Sequence, residues 1–260
     1  MLARLLGCTA LAALAGAPTA SHAPLTVKYR IDQKLTQDID ATPAGQGKQS
    51  LSFSTSSFVS LTFADSAGGK AVRVVVDSMQ GDSTAPIPAA VFDSARGAEF
   101  RAFLSAAGKL SELEAVDVAP AAARVQGFLS DFFPWVKAGV KAGERWADTS
   151  SRTTTDGADS VLVRRVISYR VLARETRGTR PAMRIASEYQ SSVAGTQPTP
   201  NGPARIEGAG KGTGTYYVSP DGRYLGGDWQ LRSALTISGA FANDPLPITI
   251  TQTTKVTALE

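Results

Sequence analysis

The stretch Leu25-Thr-Val-Lys-Tyr-Arg-Ile-Asp-Gln-Lys-Leu-Thr-Gln-Asp-Ile39 alternates apolar and polar side chains over its whole length. Six of its odd positions are apolar, whereas lysine, arginine and aspartate fill most of the even ones. Successive side chains of a β-strand point to opposite faces, so the stretch predicts a long strand with one buried and one solvent-facing side. A parallel strand buried on both faces would carry a continuous apolar run, and the alternation therefore favours an antiparallel sheet.

The same period of two recurs along most of the chain. Its apolar members are Leu51, Phe53, Val59, Leu61 and Phe63; Val72, Val74 and Val76; Val161, Val163, Ile167, Tyr169 and Val171; Met183, Ile185 and Tyr189; Leu231, Leu235 and Ile237; and Ile248 and Ile250. We therefore predict a mainly β protein of the α+β class, with long antiparallel strands in a curved sheet or half-barrel.

Three turns share the form Ser-x-x-Gly-Lys/Arg: Ser66–Lys70, Ser105–Lys109 and Ser219–Arg223. Serine suits the first position of a type I turn, and the glycine permits the left-handed residue that follows such a turn in a hairpin. Each copy lies between strand-like segments, so the sequence predicts three hairpins.

The surroundings of two of these turns, Phe100–Leu110 and Tyr216–Leu225, resemble each other. This predicts two related halves, about 25–118 and 143–257, within a single domain 24–260. Between them, Pro120 to Val136 is the strongest helix candidate, because Val125, Phe128, Leu129 and Phe132 follow helical spacing. A shorter helix is expected from Ala89 to Arg96.

Residues 1–23 have the composition of a secretory signal. Arg4 precedes a short apolar run from Leu5 to Ala17, and small residues follow as far as Ala23. The run is shorter than the ~20 residues that a membrane-spanning helix needs. We therefore expect an exported protein, periplasmic or extracellular, that is soluble after signal cleavage and has no transmembrane helix.

The single Cys8 and the single His22 both lie in this signal. Its removal excludes Ser-His-Asp and Cys-His catalysis, disulfides, and zinc sites built on histidine or cysteine. We predict no enzymatic activity, no cofactor and no metal site. The mature side chains carry 26 − 23 = +3, without a basic motif interleaved with aromatics, so no nucleic-acid partner is expected.

Four glycines, Gly208, Gly210, Gly212 and Gly214, fall on one face of a predicted strand. The segment lacks the spacing of a phosphate-binding loop and leads into a strand, not a helix. A strand face without side chains lets another element or a ligand approach the backbone closely. The stripe is therefore interpreted either as a packing site for a neighbouring element or as part of a ligand groove.

Seven arginines lie between positions 164 and 184. We expect Arg164, Arg170, Arg174, Arg180 and Arg184 to form a basic stripe on the solvent face of a hairpin. Such a stripe suits an anionic partner such as lipid headgroups or an acidic glycan. The alternative is a solvated face whose positive charge is balanced by Asp and Glu side chains on the adjacent strand.

A Gly-x-x-Trp-x-Asp step, Gly143-Glu-Arg-Trp-Ala-Asp148, opens the second half. With the strand rhythm, it resembles uncharacterised bacterial exported proteins built from two antiparallel β repeats around a central helix. More loosely, the pattern is similar to half-barrel envelope proteins that carry or sense lipoproteins. That resemblance implies a curved sheet that cups helices or an acyl chain, and it assigns no site residue.

The apolar face of these strands exceeds what one short helix covers. We therefore expect a non-enzymatic protein of the bacterial envelope that binds a lipid, a lipidated protein or another apolar ligand on the inner face of its sheet. The alternative is a structural or protein-interaction module of the envelope without a small ligand.

Overall fold

A computed structural model describes residues 23–116, 129, 132–156, 159–199, 202–239 and 242–259. The described strands are β1 (Leu25–Asp40), β2 (Lys48–Ser66), β3 (Gly69–Gly81), β4 (Glu99–Ser105), β5 (Glu114–Val116), β6 (Arg145–Asp156), β7 (Asp159–Arg177), β8 (Arg180–Gln197), β9 (Ala204–Val218), β10 (Tyr224–Gly239) and β11 (Ala242–Leu259). One helix, α1 (Ala89–Ser94), and one 3₁₀ turn, Thr42–Ala44, accompany them.

All eleven strands form one antiparallel sheet in the order β5-β4-β3-β2-β1-β11-β10-β9-β8-β7-β6. Two meanders, β1 to β5 and β6 to β11, meet where the first and last strands pair. Lys28 lies opposite Leu259 at one end of that pairing, and Ile39 lies opposite Ile248 at the other. The prediction of a mainly β protein with long antiparallel strands is confirmed.

The alternation along β1 divides the sheet into two faces. Val27, Tyr29 and Ile31 are buried, whereas Lys28 and Arg30 are exposed. We call the face that carries Tyr29, and the residues paired with it across the sheet, the inner face. The opposite face is the outer face. The buried members of the other strands, among them Leu61, Val74, Ile185 and Val256, follow the same register.

The sheet is strongly curved. β3 and β8 are six strands apart in the sheet order, which would separate them by about 29 Å if the sheet were flat. Residues of both strands nevertheless line one cavity on the inner face. At one end the curvature brings the turn after β4 to β6, where Lys109 Nζ lies 2.5 Å from Asp148 Oδ1.

The three predicted hairpin turns are confirmed. Their glycines of positive φ are Gly68, Gly108 and Gly222, at 79°, 84° and 85°. In the first turn this is one residue before Gly69, the glycine of the shared pattern, which instead begins β3. The amide of Gly108 donates to the Ser105 carbonyl over 2.8 Å, and that of Gly222 donates to the Ser219 carbonyl over 2.9 Å. A positive φ carries no steric cost at glycine, which is why the residue is required there.

The hydrophobic core occupies one end of the inner face. Phe132, Val136 and Val140, from the chain between β5 and β6, are buried against it. Phe92 of α1 closes the side next to β3. The rings of Tyr29 and Phe132 meet edge to face, with their centroids 6.2 Å apart. The core therefore covers only part of the inner face.

The two helix predictions have different outcomes. The short helix expected from Ala89 to Arg96 is confirmed as α1. The longer one, Pro120 to Val136, falls for the most part outside the described residues. Residues 132–136, at its expected end, are irregular, because the residue before Pro134 is disfavoured in a helical conformation.

Candidate functional site

A cavity of about 950 Å³ lies on the inner face beside the core. It crosses seven strands at one level. The inner-face residues of that level are Gly81 (β3), Thr55 (β2), Gln33 (β1), Thr254 (β11), Trp229 (β10), Gly214 (β9) and Ser187 (β8). These seven residues lie on seven different strands, and only strand pairing brings them together. The site therefore exists only in the folded sheet.

This level is polar although it lies between two apolar ones. On one side, Ile31 and Val256 belong to the core. On the other side, Leu35 and Leu231 are half-buried. The cavity therefore offers hydrogen-bonding groups within an otherwise apolar surface, as small-molecule sites commonly do.

The Thr55 hydroxyl is a notable polar group of the cavity. Thr55 is buried, and its Oγ1 has no hydrogen-bond partner among the described residues. A buried hydroxyl without a partner costs about 1–3 kcal/mol.

Asp82 lies at the edge of the cavity, where β3 ends. Its carboxylate accepts hydrogen bonds from the Thr84 hydroxyl at 2.6 Å and from the backbone amides of Thr84 and Ser54. The Thr84 hydrogen bond is the main reason that the pKa of Asp82 lies below its usual range. These bonds give the carboxylate a structural role in joining β3 to β2.

Beyond the cavity, the inner face continues as two rows of mainly apolar side chains. The first row contains Leu35, Leu231, Tyr189 and Ile167, which are half-buried. A second row farther from the core contains Ile39, Ile248, Leu235, Val193 and Val163. The outer positions between them are mostly serine, threonine and charged residues.

The structure places the four glycines of the stripe on the inner face of β9. Gly214 lines the cavity. The space in front of the others is filled from the neighbouring strands, by Leu235 at Gly208, by Ser191 and Ser233 at Gly210, and by Leu231 at Gly212. At Gly214 the space is filled by Trp229 and Ser187, so close packing by neighbouring strands explains the whole stripe.

Two of these glycines should respond differently to alanine. A Cβ at Gly212 would collide with the backbone oxygen of Gln230, so we expect Gly212→Ala to lower the free energy of unfolding by about 1–3 kcal/mol. At Gly210 the Cβ would meet only the hydroxyls of Ser191 and Ser233, which can rotate away. Gly210→Ala is therefore the matched control. Urea denaturation measures both, and equal losses would contradict this explanation.

The five arginines do not form one continuous stripe. Arg164 and Arg170 are exposed on the outer face of β7. A β-bulge between Val171 and Ala173 changes the register, so that Arg174 pairs with Met183. Arg180 lies at the hairpin end of β8 opposite Arg177. The Nη1 of Arg184 lies 3.8 Å from Glu175 Oε2.

The described residues contain no group of three or more histidine, cysteine, aspartate or glutamate side chains that could hold a metal ion. In the same part of the chain, no helix has the length and apolar character needed to cross a membrane.

Of the ligand-groove candidates predicted from the sequence, Gly214 lines the cavity. Gln33 and Thr254 were detectable as polar residues at inward positions of alternating strands, where an apolar side chain is expected. Nothing in the sequence showed that Gln33 and Ser187 would border the same space, because that depends on the curvature of the sheet.

No protein-family model matches the chain, and a search of the curated proteins found no match. Two solved structures are similar, both mutants of a porin from Rh. blastica. One is 9% identical with a TM-score of 0.29. The other is 11% identical with a TM-score of 0.30. Each alignment covers 90% of this chain and 100% of the porin chain. At these TM-scores the similarity establishes neither a shared fold nor a shared function.

Proposed function

We propose that this protein is an exported, non-enzymatic lipid-binding protein of the bacterial envelope, which holds an apolar or amphiphilic ligand against its inner face. The cavity of about 950 Å³ carries this proposal, because it opens beside rows of half-buried apolar side chains. Its volume lies within the range of about 300–1,000 Å³ that is typical of ligand sites.

The chemistry of the inner face supports an amphiphile. Leu35, Leu231 and Tyr189 offer an apolar surface beside the cavity. The polar side chains of Gln33 and Ser187 belong to residues that line it. A ligand with an apolar chain and a polar group uses both kinds of surface at once.

The envelope location rests on the signal-like segment 1–23. Export followed by cleavage after this segment leaves a chain without cysteine or histidine. The N-terminal mass of the secreted protein tests this part of the proposal, and an intact leader would contradict it.

Thermal unfolding of delipidated protein tests ligand binding. We expect hexadecanol, an uncharged amphiphile, to raise the melting temperature, because a ligand at 100 times its Kd stabilises the folded state by about 2.7 kcal/mol. Ser187→Trp places a large ring in the cavity and should abolish the shift. Ser168→Trp, at an exposed position on the outer face of β7, is the matched control and should retain it.

A variant that unfolds without ligand tells nothing about binding, so the melting temperature of each unliganded variant is measured first. Thr254→Trp fills the cavity from another strand and replaces Ser187→Trp if that variant does not fold. An unchanged melting temperature of the natural sequence at saturating hexadecanol would refute lipid binding. A co-purifying protein in the absence of lipid would then favour an interaction module.

A further inference from the structure

The outer face of β6, and of β7 up to its bulge, carries basic side chains and, among the described positions, no acidic one. The charged residues of this face are Arg145, Arg164 and Arg170, and all three are exposed. None of them forms an ion pair in the part of the chain that the structure describes. The nearest acidic side chain across the next pairing is Glu188 of β8, which lies opposite Ser168. This part of the outer face is therefore positively charged.

Two of these arginines lie directly opposite each other, Arg145 on β6 and Arg170 on β7. Like charges in this position destabilise a sheet. A comparable pair on β3 and β4, Arg73 opposite Arg101, is compensated within the chain. There the carboxylate of Glu99 lies 2.6 Å from Arg73 Nη2 and 4.0 Å from Arg101 Nε. The pair on β6 and β7 has no such acid among the described residues, so an external anion can supply the missing charge.

Exposed apolar side chains lie beside these cations. Val166 lies on the same face between Arg164 and Arg170 and is 40% exposed. Leu172, two residues beyond Arg170 in the bulge, is 38% exposed. We call Arg145, Arg164, Val166, Arg170 and Leu172 the basic patch. Cations beside exposed apolar side chains suit the surface of an anionic bilayer, where electrostatic attraction and apolar burial add.

The shape of the basic patch also suits a bilayer surface. Its residues lie on two adjacent strands, and six residues separate Arg164 from Arg170, which is about 20 Å along a strand. The curvature of the sheet accumulates over many strands. One flat surface can therefore contact the whole patch.

We propose that the basic patch binds the surface of a bilayer that contains anionic phospholipids. The planar donors of a guanidinium group match two phosphate oxygens at once, and Val166 and Leu172 enter the boundary between headgroups and acyl chains. The patch lies on the face opposite the cavity. Membrane binding therefore goes beyond the proposed ligand binding and can be measured independently of it.

Flotation of the purified protein with vesicles tests this proposal. We expect the natural sequence to bind vesicles of phosphatidylcholine mixed with phosphatidylglycerol, and to bind pure phosphatidylcholine weakly. The triple variant Arg145→Gln/Arg164→Gln/Arg170→Gln should bind the mixed vesicles about 100-fold more weakly, since each basic side chain near an anionic surface contributes about 5-fold. Equal binding of the natural sequence to both kinds of vesicle, or to neither, would overturn the proposal.

A second triple variant is the matched control. Lys28→Gln/Lys48→Gln/Arg96→Gln removes the same number of positive charges from exposed positions outside the basic patch. We expect it to lose less than about 5-fold in affinity, because salt screens charges that do not contact the membrane. Equal losses for the two triple variants would show that net charge, and not this patch, determines binding.

Val166→Ser distinguishes a bilayer from a soluble polyanion. It should weaken binding to the mixed vesicles by about 3-fold and leave binding to dextran sulfate unchanged, because that polymer has no apolar interior. If the natural sequence binds dextran sulfate but no vesicle, the partner is a soluble polyanion and the membrane assignment is wrong. The melting temperature of each variant is measured first. If the triple variant of the patch melts lower, Arg164→Gln and Arg170→Gln replace it, each with an expected loss of about 5-fold.

Discussion

Replacing Phe132 by alanine is expected to lower the free energy of unfolding by about 3–5 kcal/mol. Phe132 is 1% exposed, and its ring contacts those of Tyr29 and Phe133 edge to face. The hydrogen-bonded strands on the other side of the ring cannot collapse into the space, so a cavity remains. Urea denaturation measures the loss. If the free energy of unfolding depends on urea concentration with the same slope in both proteins, the unfolded state is the same.

Phe58→Ala is the matched control for this prediction. Phe58 is half-buried on the outer face of β2, where the Arg30 guanidinium lies 5.8 Å from its ring centre. We expect a loss of no more than about 1 kcal/mol there, the size of an exposed cation–π contact. A comparable loss for both variants would show that the segment around Phe132 does not close the core.

The second large effect concerns alkaline pH. Burial raises the pKa of Tyr29, Tyr216 and Tyr224 above the usual phenol value. The Tyr29 hydroxyl also donates to the Tyr224 carbonyl, and that of Tyr216 donates to the Trp135 carbonyl, both over 3.0 Å. Ionisation would remove the proton that each donates.

The sign of the pH dependence follows from proton binding. Above pH ~10 the unfolded chain loses phenol protons that the folded chain retains, so stability is full below that pH and falls as the pH rises. Each tyrosine contributes a slope of about 1.4 kcal/mol per pH unit, or about 4 kcal/mol per unit for the three. Urea denaturation between pH 9 and 11 measures the slope.

Tyr216→Phe isolates one of these contributions. It should reduce the slope by about 1.4 kcal/mol per pH unit, because one of the three protons is no longer involved. Phenolate absorbance provides an independent check. If these tyrosines ionise near pH 10 while the chain remains folded, the assignment of buried phenols is wrong.

Much of the fold was predictable because it depends on local geometry. The alternation from Leu25 to Ile39 predicted β1 and its inner face, since neighbouring side chains of a strand must point to opposite sides. The shared Ser-x-x-Gly pattern predicted three turns, and at Gly108 and Gly222 its glycine has the expected positive φ. In the first turn the positive φ falls on Gly68, one residue before the glycine of the pattern. The helix α1 was also predicted within two residues of its end.

The candidate site was harder to predict from the sequence. The glycine stripe was placed correctly on one strand face, but the sequence did not show whether neighbouring side chains or open space would lie before it. The structure shows that neighbouring strands fill the space before all four glycines, and that Gly214 also lines the cavity. The bulge after Val171, which separates Arg174 from Arg164 and Arg170, has no signal in the alternation.

By itself, the sequence determined where strands and turns occur and which side chains share a face. Those properties depend on backbone geometry over a few residues. Only the tertiary structure decided that β1 pairs with β11 and that Gln33 and Ser187 border one cavity. Strands with the same alternation can pair in many orders, and the curvature of the sheet is the sum of twists along all its pairings.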